Sequence, residues 1–170
     1  GDYDLVAGAL SSRPEIARES GKNLGLAEDR IYTSYEEMAQ KEAARPDGIE
    51  AVSIVTPNHM HYGPAKAFLE AGIHVICDKP ITSTLDDARK LLEIKPKNGA
   101  KFLLTHNYTG YPLVRQAREL VASGALGKIR VVQVEYPQDW LTEATSDDNK
   151  QAAWRTDPAR SGAGGAIGDI

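Results

Sequence analysis

The 170-residue chain has a single cysteine, Cys77, and no long hydrophobic run. One cysteine cannot form an internal disulfide, and a lone thiol favours a reducing compartment. No segment approaches the roughly 20 apolar residues that a membrane span needs, so we expect no membrane partner. We expect a cytoplasmic protein, although the chain begins at Gly1 without an initiator Met, which leaves open a targeting segment before it.

An excess of charge of one sign is also lacking. The 24 acidic and 20 basic residues are mixed along the chain and give a net charge of -4. Nucleic-acid binding needs a basic stripe, so we expect no nucleic-acid partner. With 41% apolar and 26% charged residues, the composition is that of an ordinary globular protein.

Short apolar runs alternate with amphipathic segments over the first 105 residues. The runs at residues 5–10, 30–33, 51–55, 73–77 and 100–105 are predicted strands, and the segments between them are predicted helices. Residues 51–55 are almost all apolar, which is typical of a central strand covered by helices on both faces. The alternation predicts an α/β fold with a Rossmann-like, doubly wound parallel sheet.

The pattern changes after residue 106. A predicted helix at 113–123 is followed by residues 128–136, whose polar and apolar side chains alternate as in a strand with one wet face. Residues 137–161 are predicted to form a long loop, and residues 162–168 to open a helix. We therefore divide the chain into a partial dinucleotide-binding domain, residues 1–107, and the beginning of a second α/β domain, residues 108–170.

The residues that follow each strand are the candidates for binding, because ligands of parallel sheets bind beyond the carboxyl ends of the strands. After the first strand come Ser11, Ser12 and Arg13, where an NAD-specific domain usually offers a carboxylate to the ribose. Hydroxyls and a guanidinium there are compatible with the 2′-phosphate of NADP. The alternative is an N-capping serine pair beside a solvated arginine.

Thr56, Pro57 and Asn58 follow the third predicted strand. Asn58 can cap the next helix while its amide faces the crevice. Two histidines, His59 and His61, come next, and with His74 and Cys77 they make a zinc site conceivable. No recognised ligand pattern is completed, so we expect no metal.

Lys79 lies in Cys77-Asp78-Lys79-Pro80, at the end of the fourth predicted strand. A lysine buried beside a cofactor ring can exchange a proton with a substrate hydroxyl. The bond before Pro80 can be cis, which would aim Lys79 into the crevice. The alternative is an ordinary solvated lysine.

His106, Asn107 and Tyr108 follow the fifth predicted strand in a cluster of hydrogen-bonding and aromatic groups. Such groups suit a polar, ring-shaped substrate, because sugar faces stack on aromatic rings. The alternative is a linker rich in turn residues.

Four motifs in order resemble the glucose-fructose oxidoreductase and inositol dehydrogenase family, Gfo/Idh/MocA. They are Thr56-Pro57-Asn58 with His61, Asp78-Lys79-Pro80, Leu126-Gly127-Lys128-Ile129, and Gly164-Gly165 to Asp169. Asp78 stands where the family usually has Glu. The resemblance implies an N-terminal Rossmann domain and a C-terminal α/β domain whose open sheet covers the substrate and often mediates oligomerisation.

The resemblance also implies an NAD(P)-dependent oxidoreductase acting on a secondary alcohol or carbonyl of a sugar, polyol or related cyclic compound. Lys79 and Asp169 are the expected catalytic residues, and the full-length protein is an expected homo-oligomer. The expected cofactor contacts are Ser11, Ser12, Arg13, Thr56, Pro57, Asn58, His61, Asp78, Lys79 and Pro80. The expected substrate contacts are Lys79, His106, Asn107, Tyr108, Trp154, Arg155 and Asp169.

The family's G-x-G-x-x-G loop is absent from the sequence, and Gly162-Ala163-Gly164-Gly165 does not replace it. We expect the family's first strand, this loop and the histidine that follows Asp169 to lie outside these residues. Two other functions stay open. One is a non-catalytic regulatory protein that senses dinucleotide or sugar with the same fold, and the other, ranked last, is a metal hydrolase built on the histidines.

Overall fold

The computed structural model of the protein describes residues 3–137, 139, 142 and 149–162. Within them lie five strands: β1 (Gly8–Ala9), β2 (Ile31–Tyr32), β3 (Ala51–Ile54), β4 (His74–Asp78) and β5 (Phe102–Thr105). The helices are α1 (Pro14–Asn23), α2 (Tyr35–Ala44), α3 (Tyr62–Ala71), α4 (Leu85–Glu93), α5 (Pro112–Ala122), α6 (Lys150–Arg155) and α7 (Pro158–Ser161). Short 3-10 turns cover Glu28–Arg30, Asn58–Met60, Lys97–Gly99 and Asn107–Gly110.

All strand pairs are parallel. β1 pairs with β2, and β4 lies between β3 and β5 in a second sheet. Helices alternate with these strands along the chain, which confirms the predicted Rossmann-like α/β fold. Residues 51–55 were predicted to form a central strand; within the described residues β4 has a partner on each side, and β3 lies at one end of its three-stranded sheet.

Helices cover one face of the three-stranded sheet. α3 contacts β3 and β4, and Val75 and Cys77 of β4 are fully buried on that face. On the other face Ser53, Val55 and Leu103 are exposed, and no helix of the described residues buries them. The prediction of cover on both faces was therefore wrong for this part of the chain. Apolar composition alone does not tell how many faces of a strand are covered.

The main core lies between this sheet and α3. Phe68, Ala65 and Leu69 from α3 join Ile54, Val75 and Cys77 from the strands. Burying a side chain such as Phe68, which is 1% exposed, contributes about 1.5–3 kcal/mol to folding. This packing fixes the ends of β3 and β4 relative to the start of α3.

Local capping sets the limits of these helices. The Ser34 hydroxyl accepts a hydrogen bond from the Glu37 backbone N–H at 3.1 Å and starts α2. Gly72 ends α3 with a φ of 89°, a left-handed conformation that favours glycine. The chain can therefore turn at once from α3 into β4.

A buried ion pair joins β2, α2 and the loop before β3. The Glu42 carboxylate accepts hydrogen bonds from Arg30 Nε at 3.2 Å, from Arg30 Nη2, from the Tyr32 hydroxyl at 2.7 Å and from the Ile49 N–H at 3.2 Å. Gly48 lies in the same loop, and a Cβ there would lie 2.0 Å from the Glu42 carbonyl oxygen. The carboxylate thus ties three successive segments of the chain together.

The second part of the chain departs from the predictions after α5. Residues 128–136 were predicted to be a strand, but they are exposed and no strand of the described residues pairs with them. Alternating polarity alone cannot form a ladder without a neighbouring strand. Residues 149–161 were predicted to be loop, yet they form α6 and α7, whose first turns are capped by Asn149 and Asp157. The helix predicted from residue 162 lies mostly outside the described residues.

Candidate active site

The carboxyl ends of β3, β4 and β5 lie along one edge of the sheet, because the three strands are parallel and adjacent. Thr56, Lys79 and His106 follow these strands within two residues of their ends. The predicted sites after these strands therefore lie at the same edge. The site after β1 belongs to the two-stranded sheet.

Ser11, Ser12 and Arg13 connect β1 to α1. The Ser11 hydroxyl accepts a hydrogen bond from the Arg13 backbone N–H at 3.1 Å. Arg13 occupies the N-cap position of α1 without a side-chain cap bond, so the serines do not cap the helix. Ser12 and Arg13 are exposed, and their hydroxyl and guanidinium are accessible to an anionic ligand.

Thr56, Pro57 and Asn58 lead from β3 into a 3-10 turn. The Thr56 hydroxyl donates to the Met60 carbonyl at 3.2 Å. Asn58 is 5% exposed, and its Nδ2 donates to the Ser161 carbonyl at 3.3 Å. The prediction that Asn58 caps the following helix was wrong, because the N-cap of α3 is His61 and the Asn58 amide binds α7 instead.

The Asp78-Lys79-Pro80 segment is fixed by the carboxylate of Asp78. Its Oδ1 accepts hydrogen bonds from the Lys79 backbone N–H at 2.8 Å and from the Thr105 hydroxyl of β5 at 2.9 Å. Lys79 is half-buried, and the Lys79–Pro80 peptide bond is cis, as the sequence allowed. Asp78 therefore orients the backbone of the lysine and ties β4 to β5 at the crevice.

Cys77 belongs to the core rather than to the site. Burial raises the pKa of its thiol to about 12, and the neighbouring Asp78 carboxylate acts in the same direction. A thiol with such a pKa is uncharged at neutral pH and is a poor nucleophile and a poor metal ligand.

His61 lies between the loops that follow β3 and β4. Its ring is 0% exposed, with Nδ1 at 2.6 Å from the Pro80 carbonyl oxygen and Nε2 at 2.8 Å from the Thr56 carbonyl oxygen. The imidazole thus connects the Thr56 loop with the Lys79 loop.

His106, Asn107 and Tyr108 follow β5 and are exposed. The Tyr108 ring packs edge-on against Tyr111 at 5.6 Å between centroids and lies 6.4 Å from the ring of Tyr136. A cleft of about 420 Å³ opens beside them and is lined by His106, Thr109, Gly110, Val114, Arg115 and Arg118. The sequence motifs did not indicate Arg115 and Arg118, although their spacing of three residues on a predicted helix places them on one face.

The segment that contains α6 and α7 returns to the edge of the sheet. α7 contacts the 3-10 turn at Asn58, and a Cβ on Gly162 would lie 2.6 Å from the Ser83 carbonyl oxygen. Trp154 and Arg155 are half-buried in α6, with the guanidinium 4.2 Å from the Trp154 ring centroid. Asp169 lies outside the described residues.

The histidines do not converge on a metal site. Both ring nitrogens of His61 bind carbonyl oxygens, and Nδ1 of His74 accepts from the Lys101 N–H at 2.9 Å. In the part of the chain that the structure describes, no three His, Cys, Asp or Glu side chains are grouped so as to hold a metal ion. Nor is any helix in that part long and apolar enough to cross a membrane.

The residues at these strand ends fit one side of a dinucleotide. The exposed hydroxyl of Ser12 and the exposed guanidinium of Arg13 after β1 suit a ribose with or without a 2′-phosphate. The half-buried segments after β3 and β4 form a partly desolvated surface that carries the amine of Lys79. Such a surface suits a nicotinamide ring beside a substrate. A G-x-G-x-x-G loop for the pyrophosphate is absent from the 170 residues.

A model of the oxidoreductase family with an NAD-binding Rossmann fold matches residues 2–106, and a model of the GFO/IDH/MocA C-terminal domain matches residues 114–170. The chain belongs to the GFO/IDH/MocA family. The resemblance suggested by the four motifs is thereby confirmed. The domain boundary between residues 107 and 108 stays a prediction.

Individual members of the GFO/IDH/MocA family match most of the chain. An uncharacterized oxidoreductase of Bacillus subtilis is 39% identical over 99% of this chain and 43% of its own length. Levoglucosan dehydrogenase of Pseudarthrobacter phenanthrenivorans is 31% identical over 94% of this chain and 38% of its own. The crystal structure of an inositol dehydrogenase homolog of Azotobacter vinelandii complexed with NAD+ is 40% identical, with a TM-score of 0.90 over 99% of this chain and 43% of that one. The chain thus spans less than half the length of these relatives.

Proposed function

We propose that the protein is an NAD(P)-dependent oxidoreductase acting on a secondary alcohol or carbonyl of a sugar, a polyol or a related cyclic compound. The placement of Lys79 carries this proposal, since it is a half-buried lysine directly after β4, at the edge where parallel sheets bind ligands. Family membership and relatives named for levoglucosan and inositol support the substrate class.

The bound nicotinamide would accept or supply the hydride. Lys79 would take the proton from the substrate hydroxyl during oxidation and return it during reduction. Asp78 does not compete for this role, because its carboxylate is engaged by the Lys79 N–H and the Thr105 hydroxyl. We assign Asp169 as the partner of Lys79 in the proton relay on the strength of the family motif.

Contacts to the substrate would come from the turn after β5 and from α6. After β5, His106 and Asn107 offer exposed hydrogen-bonding groups, and Tyr108 offers an aromatic ring. On α6, Trp154 and Arg155 form a stacked pair that suits the face and hydroxyls of a sugar. Thr56, Pro57, Asn58 and Pro80 would shape the cofactor side.

The decisive experiment assays the complete protein for substrate-dependent reduction of NAD or NADP across inositols, anhydrosugars, aldopentoses and aldohexoses. Lys79→Ala should lower kcat by about 10²- to 10⁴-fold, a larger loss than in dinucleotide affinity, because general acid-base catalysis contributes on this scale. Lys66→Ala, which removes an exposed lysine of α3, is the matched control. No turnover of any substrate would favour a regulatory dinucleotide sensor, and a fully active Lys79→Ala would refute the mechanism.

We propose that the site after β1 accepts NADP, and NAD as well. Arg13 is exposed and has no ion pair among the described residues, so its guanidinium is available to a 2′-phosphate. Arg13→Ala should weaken NADP binding by about 10- to 100-fold and NAD binding little, as expected for the loss of one charge-assisted contact. Titration of both dinucleotides against Arg13→Ala and the control Arg18→Ala measures this. Equal losses for both dinucleotides would remove the argument.

We also propose that the complete protein is a cytoplasmic homo-oligomer. The family resemblance supports the oligomer, and the single, buried thiol of Cys77 suits a reducing compartment. Light scattering of the purified complete protein measures its assembly state, and a monomer at micromolar concentration would contradict the first part of this proposal.

A further inference from the structure

The hydrogen bonds of His61 have an unusual polarity. Both partners of its ring, the carbonyls of Thr56 and Pro80, are acceptors that carry no hydrogen. A neutral imidazole has one N–H and one lone pair. The ring nitrogens lie 2.6 and 2.8 Å from the two carbonyl oxygens, in a place without access to water, so an N–H of the ring can donate to a carbonyl while the ring fills the space between the two loops.

The two carbonyls belong to different strand-end loops. Thr56 opens the loop after β3, and Pro80 is the residue next to Lys79 in the loop after β4. Asp78 fixes the Lys79 backbone from the side of β5. His61 fixes the same short segment from the side of β3, so Lys79 lies between two anchors.

The burial of the ring bears on what His61 can touch. At 0% exposure it has no surface with which to contact a cofactor or a substrate in the crevice. Its influence on the reaction must therefore pass through the two loops that it joins.

We propose that His61 is a positioning residue for Lys79, that its buried ring holds the loop after β3 against the Lys79–Pro80 segment, and that it does not contact the cofactor. This replaces the cofactor contact expected from the sequence motif. The proposal rests on the proposed function of Lys79 and adds to it the means by which the amine is held in place.

The bridge itself is tested without any substrate. In the complete protein labelled with ¹⁵N-histidine, a ring N–H of His61 should be visible and exchange slowly with water, because the ring is buried and lies within hydrogen-bond distance of two carbonyls. A ring N–H that exchanges as fast as that of a solvent-exposed histidine would overturn the proposal. Because this measurement uses the wild-type protein, it stands even if the variant fails to fold.

The positioning role is tested by separating kcat from cofactor affinity. His61→Leu should lower kcat by about 10- to 100-fold, the scale of a small displacement of a catalytic group, while the Kd of the dinucleotide changes less than about 2-fold. His61→Gln should fall between wild type and His61→Leu, because its amide still carries two N–H donors. His59→Leu, which alters an exposed histidine of the same turn, is the control.

Each contrary result has a distinct meaning. A raised dinucleotide Kd with unchanged kcat would show a cofactor contact and refute the proposal. Unchanged kcat per folded molecule in both variants would reduce His61 to a purely structural residue and also refute it. If the wild-type protein turns over no substrate, the proposed function is refuted instead. The NMR result would still decide whether His61 joins the loops after β3 and β4.

Discussion

Replacing Glu42 by Gln should destabilise the protein by about 3 kcal/mol. The carboxylate is 1% exposed and accepts four hydrogen bonds, two of them from the guanidinium of Arg30. Removing one partner of a buried ion pair costs about 3–5 kcal/mol, because the other charge stays buried without compensation. Gln has the same shape, so the substitution tests charge and hydrogen bonding rather than packing.

Two details place the expected loss at the lower end of this range. The amide nitrogen of Gln is best placed at the position of Oε1. There the Tyr32 hydroxyl can rotate and accept a hydrogen bond from the amide, and only the Arg30 Nε–H donor faces another donor. Nη1 of Arg30 also keeps the Asp47 carboxylate at 3.6 Å. In the opposite orientation the amide nitrogen would face two donors, Arg30 Nη2 and the Ile49 N–H, and the loss of stability would be larger.

Urea unfolding of the complete protein, followed by circular dichroism, measures the effect. With a slope of about 3 kcal/mol per M, the midpoint of the transition involving this domain should fall by about 1 M. The control is Glu37→Gln on the exposed side of the same helix, where the ion pair with Lys41 contributes only about 0.3–0.5 kcal/mol. A loss below about 1 kcal/mol for Glu42→Gln would refute the view that the carboxylate holds β2, α2 and the loop before β3 together.

Two further predictions concern the same domain. Gly48→Ala should destabilise it by about 1–3 kcal/mol in the same urea assay, because the new Cβ would lie 2.0 Å from the Glu42 carbonyl oxygen and the loop must shift. The control is Gly25→Ala, which measures backbone strain alone, because Gly25 has a φ of 75° and open space around it. The Cys77 thiol should react with a disulfide reagent at pH 8 no faster than the core around it unfolds locally. Burial raises the pKa of the thiol to about 12, so little thiolate is present. Fast reaction of the native protein in stopped-flow measurements would contradict this, because it would show that the thiol is accessible and charged.

Local signals in the sequence predicted the helices and parallel strands of the first domain well. The Ser34 cap and the Gly72 stop depend on residues within one turn of the helix end, so they can be deduced without knowing the fold. The ends of α6 and α7 carried similar signals in Asn149 and Asp157, but the polar character of that segment led to the prediction of a loop.

Predictions about contacts between residues distant in sequence were less accurate than those about local structure. Residues 128–136 alternate like a strand, yet pairing needs a neighbour that the alternation does not supply. Asn58 suits a helix cap, but its amide binds Ser161, 103 residues further along the chain. The motif around His61 indicated the neighbourhood of the site, whereas the two carbonyl partners of its ring follow only from the packing of β3 against β4.

The contact of α7 with the loop after β3 also bears on the order in which the protein is built. On the ribosome, β3, β4 and their loops are synthesised before residues 158–162, so the loop after β3 lacks its contact with α7 until then. Closing a loop of this length is slow compared with forming the helices and strands on either side of it. The contacts of Asn58 with Ser161 and of Ser83 with Gly162 can therefore form only after residues 158–162 have been synthesised.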